Sequence, residues 1–255
     1  MKILFDDPFF DGQLLRALGY VYYGGADIGE CITTAQHITQ GDADSWYTQW
    51  YRLAERVYAG AEGSMDAGHT ISARAAYLRS SNYFRTSSIV LFGTPVDGRL
   101  VDAFERQTTA FRKAAALFTP PVEMINIPYE GTTLPGYFYK VDDTDAPRQT
   151  LILVGGYDGT VEEGYFAGAA GALRHGYHCL CFDGPGQGGA LLKQHLYFRP
   201  DWENVVRPVV DYVLSRPEVD RKRIVLMGGS WGGYLAPRAA TSEHRIAACI
   251  ADAAQ

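Results

Sequence analysis

Residues 224–236 read Ile224-Val225-Leu226-Met227-Gly228-Gly229-Ser230-Trp231-Gly232-Gly233-Tyr234-Leu235-Ala236: a short apolar, β-favouring run, a glycine-rich turn, then a helix start. Such a G-x-S-x-G between strand and helix predicts an elbow that holds its serine above a sheet edge. The serine backbone there is strained toward positive φ, and side chains at the flanking positions would collide, which calls for glycine. Because G-x-S-x-G also recurs by chance, the surroundings decide. The charged Arg221-Lys222-Arg223, the apolar strand and the extra Gly233 all favour the elbow.

The rest of the chain divides in two. Over residues 11–117 the apolar spacing is helical. Leu14, Leu15, Leu18, Val21 and Tyr22 share one face, and Gly24-Gly25 ends that helix. Asp27 with Glu30 starts a second helix, carrying Ile28, Ile32, Ala35 and Ile38 inward. Trp46, Trp50, Leu53 and Val57 mark a third, ending near Gly60 and Gly63. Thr70 is expected to cap a fourth helix with Ile71, Ala75 and Leu78 inward, and a fifth spans 99–117. A tetratricopeptide-type array is the structural alternative for this segment, although no repeat of fixed period is visible.

Thr119-Pro120-Pro121 ends the helical regime, since consecutive prolines cannot continue a helix. Domains over 1–118 and 119–255 follow. Strands are expected over 122–128 and 134–140, as a hairpin around Glu130-Gly131-Thr132, then over 151–154, 178–182, 224–227 and 245–251. Thr160 with Glu163 caps one intervening helix, and another runs over 202–214 to Arg216-Pro217. This βαβα alternation predicts an α/β class with a mostly parallel sheet and helices on both faces.

A net charge of −6 supplies no basic patch, so nucleic acid and anionic membrane surfaces are not expected partners. No apolar run reaches membrane-spanning length, and the acidic start at Asp6-Asp7 does not read as a signal peptide. A cytoplasmic location is expected. Cys31, Cys179, Cys181 and Cys249 lack zinc or disulfide spacing and are expected as buried free thiols; no metal is expected.

Ligand sites of open parallel sheets collect at the carboxyl ends of strands, and three such ends here carry unusual residues. Gly155-Gly156-Tyr157-Asp158-Gly159-Thr160 can offer a backbone N–H, from Gly156 or Tyr157, to an oxyanion beside that of Trp231; the alternative is a tight turn with a helix cap. Asp183-Gly184-Pro185-Gly186-Gln187-Gly188-Gly189 reads as structural. Asp252 is a triad acid or a polar strand end. A serine hydroxyl needs a base to take its proton. His244 follows the elbow but sits at the amino end of its strand, as do His175 and His178, and His37, His69 and His195 precede the elbow. No histidine here is assigned as the base.

The helical N-terminal segment, the Gly155–Thr160 turn, Phe182-Asp183-Gly184-Pro185-Gly186-Gln187-Gly188 and the elbow together resemble the α/β-hydrolases related to dihydroxypseudooxynicotine hydrolase and the fungal pigment-pathway hydrolases that shorten polyketide chains. The resemblance covers nearly the whole chain. It implies an α/β-hydrolase sheet, incomplete at its C-terminal side, beneath an N-terminal helical cap. It also implies a cofactor-free serine hydrolase of an ester or ketone-adjacent C–C bond in an apolar or aromatic small molecule, with a homodimer left open. By position Ser230 is the nucleophile, Trp231 N–H the first oxyanion donor and Gly156 or Tyr157 the second. Relatives of this kind supply an acid and a histidine later in the chain, so residues 1–255 read as the first part of such an enzyme. The alternative is a non-catalytic interaction protein on a truncated hydrolase-like scaffold.

Overall fold

A computed structural model describes residues 2–252, which fall into two compact units divided between Phe118 and Thr119. The first unit is helical: α1 (Pro8–Gly19), α2 (Ile28–Ala35), α3 (Ala43–Asp66), α4 (Thr70–Ser88) and α5 (Gly98–Ala115). Asp7, Asp27, Asp42 and Asp97 each cap a helix by accepting backbone N–H bonds, which satisfies donors that the first turn leaves open. Trp46, Trp50, Leu53 and Val57 are buried as their spacing requires, and the Trp46 ring meets Phe10 at 4.7 Å.

Several local expectations give way to packing. α3 runs through Gly60 and Gly63 to Asp66, because two glycines cost less than the buried stripe gains. Ile28 and Ile71 are 60% and 76% exposed, so neither faces inward. α4 begins at Thr70 with His69 as its cap residue and no side-chain cap bond. Its C-terminal half is buried all round, with Ser80, Ser81, Asn82 and Thr86 bonded to backbone carbonyls. That polar, non-periodic run is the signature of a helix enclosed by others rather than lying on a surface.

The second unit is a six-stranded sheet in the order β1-β2-β4-β3-β5-β6. Its strands are β1 (Glu123–Tyr129), β2 (Thr132–Tyr139), β3 (Arg148–Val154), β4 (His178–Phe182), β5 (Val219–Gly229) and β6 (Ala248–Asp252). β1 and β2 form an antiparallel hairpin whose two-residue turn has φ of 40° at Glu130 and 82° at Gly131. β2 meets β4 antiparallel, while β4, β3, β5 and β6 are mutually parallel. β5 starts five residues earlier than its apolar run, with a register irregularity against β3. β6 begins at Ala248, and its five residues are exposed at the sheet edge.

Side-chain parity sorts the two faces. A short helix, α7 (Gly188–Leu192), follows β4, and Ile152, Val154, Leu180, Phe182, Ile224 and Leu226 pack under α8 (Glu203–Leu214) and α9 (Gly232–Ala240). The opposite parity, Leu153 and Cys181, meets the helix that starts with a π-turn at Tyr165–Ala169 and ends as α6 (Ala170–Arg174). A β-carbon on Gly164 or Gly168 would come within 3.0 Å of those two side chains. Cys31, Cys179 and Cys181 are buried free thiols, whereas Cys249 is exposed because it lies on the edge strand. Among the described residues no helix is long and apolar enough to cross a membrane.

Candidate active site

The elbow forms at the end of β5. Ser230 sits at φ 55°, and its neighbours are placed by contacts that exclude side chains. A β-carbon on Gly228 would stand 1.8 Å from the Gly232 carbonyl oxygen, and one on Gly232 would stand 2.3 Å from that of Val154. Gly229 differs from this requirement: a β-carbon there meets open space, so glycine is needed at the two outer positions of G-x-S-x-G and not beside the serine. The Ser230 N–H donates to the Asp252 carbonyl at 3.2 Å, and α9 starts at once, with Gly233 N donating back to the Ser230 carbonyl at 2.8 Å. Trp231 N makes no hydrogen bond to an acceptor among the described residues, as befits the first turn of a helix.

Parallel pairing puts the other strand ends alongside. Val154 is opposite Gly228 on one side and Phe182 on the other, so the β4, β3 and β5 turns lie in a row. Across that row the backbone of Gly156 reaches the serine: a β-carbon on Gly156 would lie 3.2 Å from Ser230 Cβ and 3.3 Å from Ser230 Oγ. Tyr157 is exposed, with Trp231 and Tyr234 also exposed and their rings 5.2 Å apart. The β3 turn is also a helix cap, since Glu163 N donates to Thr160 Oγ1 at 3.3 Å.

The β4 turn carries a residue that the reading of its glycines as structural passed over. Gln187, 1% exposed, donates from Nε2 to the carbonyls of Gly155 at 2.6 Å and Gly156 at 3.1 Å, and accepts from Gly184 N at 2.9 Å. Nothing in the local pattern signals this, because Gln187 is 31 residues from Gly156 in sequence. Asp183, on the same turn, accepts from Gly189 N at 2.7 Å, and a β-carbon on Gly188 would strike its carboxyl group. Burial, then the neighbouring Glu162 carboxyl, push the Asp183 carboxyl well above its ordinary range, which suits a structural clamp.

The predicted residues do not all converge. Asp252 reaches Ser230 through its backbone carbonyl, opposite Gly229 in the β5–β6 register. His178 opens β4 at the amino end, where Nδ1 accepts from Val141 N at 3.1 Å, and His244 precedes β6. No hydrogen bond joins Ser230 to a histidine among the described residues, and none of their His, Cys, Asp and Glu side chains group as a metal site.

Residues 151–255 match the model of the alpha/beta hydrolase family. The second unit has the α/β-hydrolase fold. Hydrolase LUC6 of a Fusarium species is 41% identical over 258 residues, covering 98% of this chain and 61% of that protein. The 20-hydroxy-prefusarin hydrolase FUS2 of Gibberella moniliformis is 42% identical over 262 residues with the same coverage. The crystal structure of 2,6-dihydroxy-pseudo-oxynicotine hydrolase superposes with a TM-score of 0.79 at 26% identity, over 92% of this chain and 64% of that one. The chain spans about three-fifths of the length of the curated relatives it matches.

Proposed function

We propose that Ser230 is the nucleophile of a serine hydrolase acting on a carbonyl-containing small molecule. Ser230 Oγ adds to the carbonyl carbon while its proton passes to a base. The carbonyl oxygen becomes an oxyanion held by Trp231 N–H and by Gly156 or Tyr157 N–H. Collapse breaks the bond to an alkoxide, or to a carbanion stabilised by an adjacent ketone, which takes the proton back from the base; water then hydrolyses the acyl-serine and restores Ser230. The supporting observation is the approach of the Gly156 backbone to Ser230, which sets the turn carrying the Gly156 and Tyr157 N–H groups beside the elbow that carries Trp231 N–H. The general base is the part of this reaction that the described residues do not supply.

Two relatives, 20-hydroxy-prefusarin hydrolase and 2,6-dihydroxy-pseudo-oxynicotine hydrolase, are named for hydroxylated small molecules, which supports a substrate of that kind for this site. The exposed rings of Tyr157, Trp231 and Tyr234 suit an apolar or aromatic one. Incubating the full-length protein with a fluorophosphonate should label Ser230, and Ser230→Ala should abolish the label. An unlabelled wild-type protein, or equal labelling of the variant, removes the assignment.

A further inference from the structure

Gln187 uses its whole side-chain amide, and two of its three bonds go to the turn that faces Ser230. The orientation is dictated chemically: only an NH2 group can face two carbonyl oxygens, and only the amide oxygen can accept from Gly184 N. The turn that delivers it is closed reciprocally, since Gln187 N donates to the Gly184 carbonyl at 3.0 Å. Its glycines lie against aromatic rings. β-Carbons on Gly184 and Gly186 would lie 2.7 Å and 2.3 Å from the rings of Trp202 and Phe198.

In a trans peptide the C=O and N–H point in opposite directions. Anchoring the carbonyls of Gly155 and Gly156 therefore fixes the N–H groups of Gly156 and Tyr157. Gln187 comes from the β4 side of β3 and Ser230 from the β5 side, with the Gly156 backbone in reach of both. Gly159 N, donating to the Gly156 carbonyl at 3.3 Å, adds a weaker tether to the same peptide.

We propose that Gln187 is a positioning residue for the second oxyanion donor, holding the Gly155-Gly156-Tyr157 backbone in the orientation that stabilises charge next to Ser230. This rests on the hydrolase reading above. An oxyanion site works because its dipoles are oriented before charge develops, and without Gln187 the two glycines are free to rotate their peptides.

The test follows fluorophosphonate phosphonylation of Ser230 in the full-length protein, resolved into a maximal rate and a half-saturating concentration, for wild type, Gln187→Glu and Gln187→Met. Thermal unfolding is measured alongside. Both variants should lose about 10- to 100-fold in maximal rate, the scale expected for a misplaced catalytic group, with half-saturation changed by less than about threefold. The Glu variant should also recover relative to wild type as pH is lowered from about 8 to about 5, because a protonated carboxyl regains one donor. Protonation also restores stability to the Glu variant, so rates are compared only at temperatures well below the lowest melting temperature at each pH, where all three proteins are folded and a remaining deficit reports positioning. If Ser230 is labelled in all three proteins at equal rates, or if Glu shows the same deficit as Met at every pH, Gln187 has no positioning role and the hydrolase reading stands. If wild-type Ser230 is not labelled, the hydrolase reading fails and the role of Gln187 falls with it.

Discussion

The Gly232 carbonyl oxygen lies 1.8 Å from where a β-carbon on Gly228 would stand, a separation no pair of non-bonded atoms tolerates. Gly228→Ala must therefore move the first turn of α9 away from β5, and with it Ser230. Overpacking of this kind typically costs about 1–3 kcal/mol where side chains can yield, and more here because backbone is struck. A sharp fall in the denaturant midpoint, against little change in Gly229→Ala, is the expected result, since Gly229 faces open space.

Gly156→Ala probes the site and not the fold. The added methyl group would sit 3.2 Å from Ser230 Cβ and 3.3 Å from Ser230 Oγ, tighter than ordinary contact, so the serine side chain must give way. Melting temperature should be nearly unchanged, while phosphonylation of Ser230 slows by roughly 10-fold or more, as small displacements at reacting centres do. Equal rates for the two proteins would show that the carbonyl enters elsewhere.

His178 gives stability a pH dependence of known sign. Burial lowers its pKa below 6.5, so the unfolded chain binds a proton that the folded chain resists. Stability is present above pH 6.5 and falls as acidification proceeds through the folded pKa, by at most about 1.4 kcal/mol per pH unit for one proton. His178→Gln keeps an acceptor for Val141 N without a titrating group. Urea unfolding between about pH 7 and pH 5 should show a shallower loss in the variant.

In the helical unit, Trp46 is fully buried and its indole N–H donates to the Thr86 carbonyl at 2.8 Å. Trp46→Ala should cost about 3–5 kcal/mol through the cavity left beside Phe10. Trp46→Phe retains most apolar contact but strands that buried carbonyl, so about 1–3 kcal/mol is expected from chemical denaturation.

Local chemistry made much of this protein legible. The spacing of Trp46, Trp50, Leu53 and Val57 marks a buried helix face, Asp27 caps α2, and His178–Phe182 is a strand to the residue. Each depends on neighbours within a turn or a pleat, which a sequence displays directly. Ile28 and Ile71 stay exposed although their spacing fits an inward face, because periodicity defines a face but not which of its residues the next helix covers. The G-x-S-x-G run likewise announces a strained serine, since Gly228 and Gly232 are only four residues apart.

What surrounds that serine is set by strand order. β4, β3 and β5 are neighbours in the sheet although β3 precedes β4 in the chain, and this places the turn after Val154 between those after Phe182 and Gly228. The meeting of Gly156 with Ser230, and the grip of Gln187 on Gly155 and Gly156, bridge dozens of residues. Such contacts arise from parallel pairing and helix packing across the whole sheet, so the sequence alone determined which residues could do the chemistry. The tertiary structure decided which of them meet.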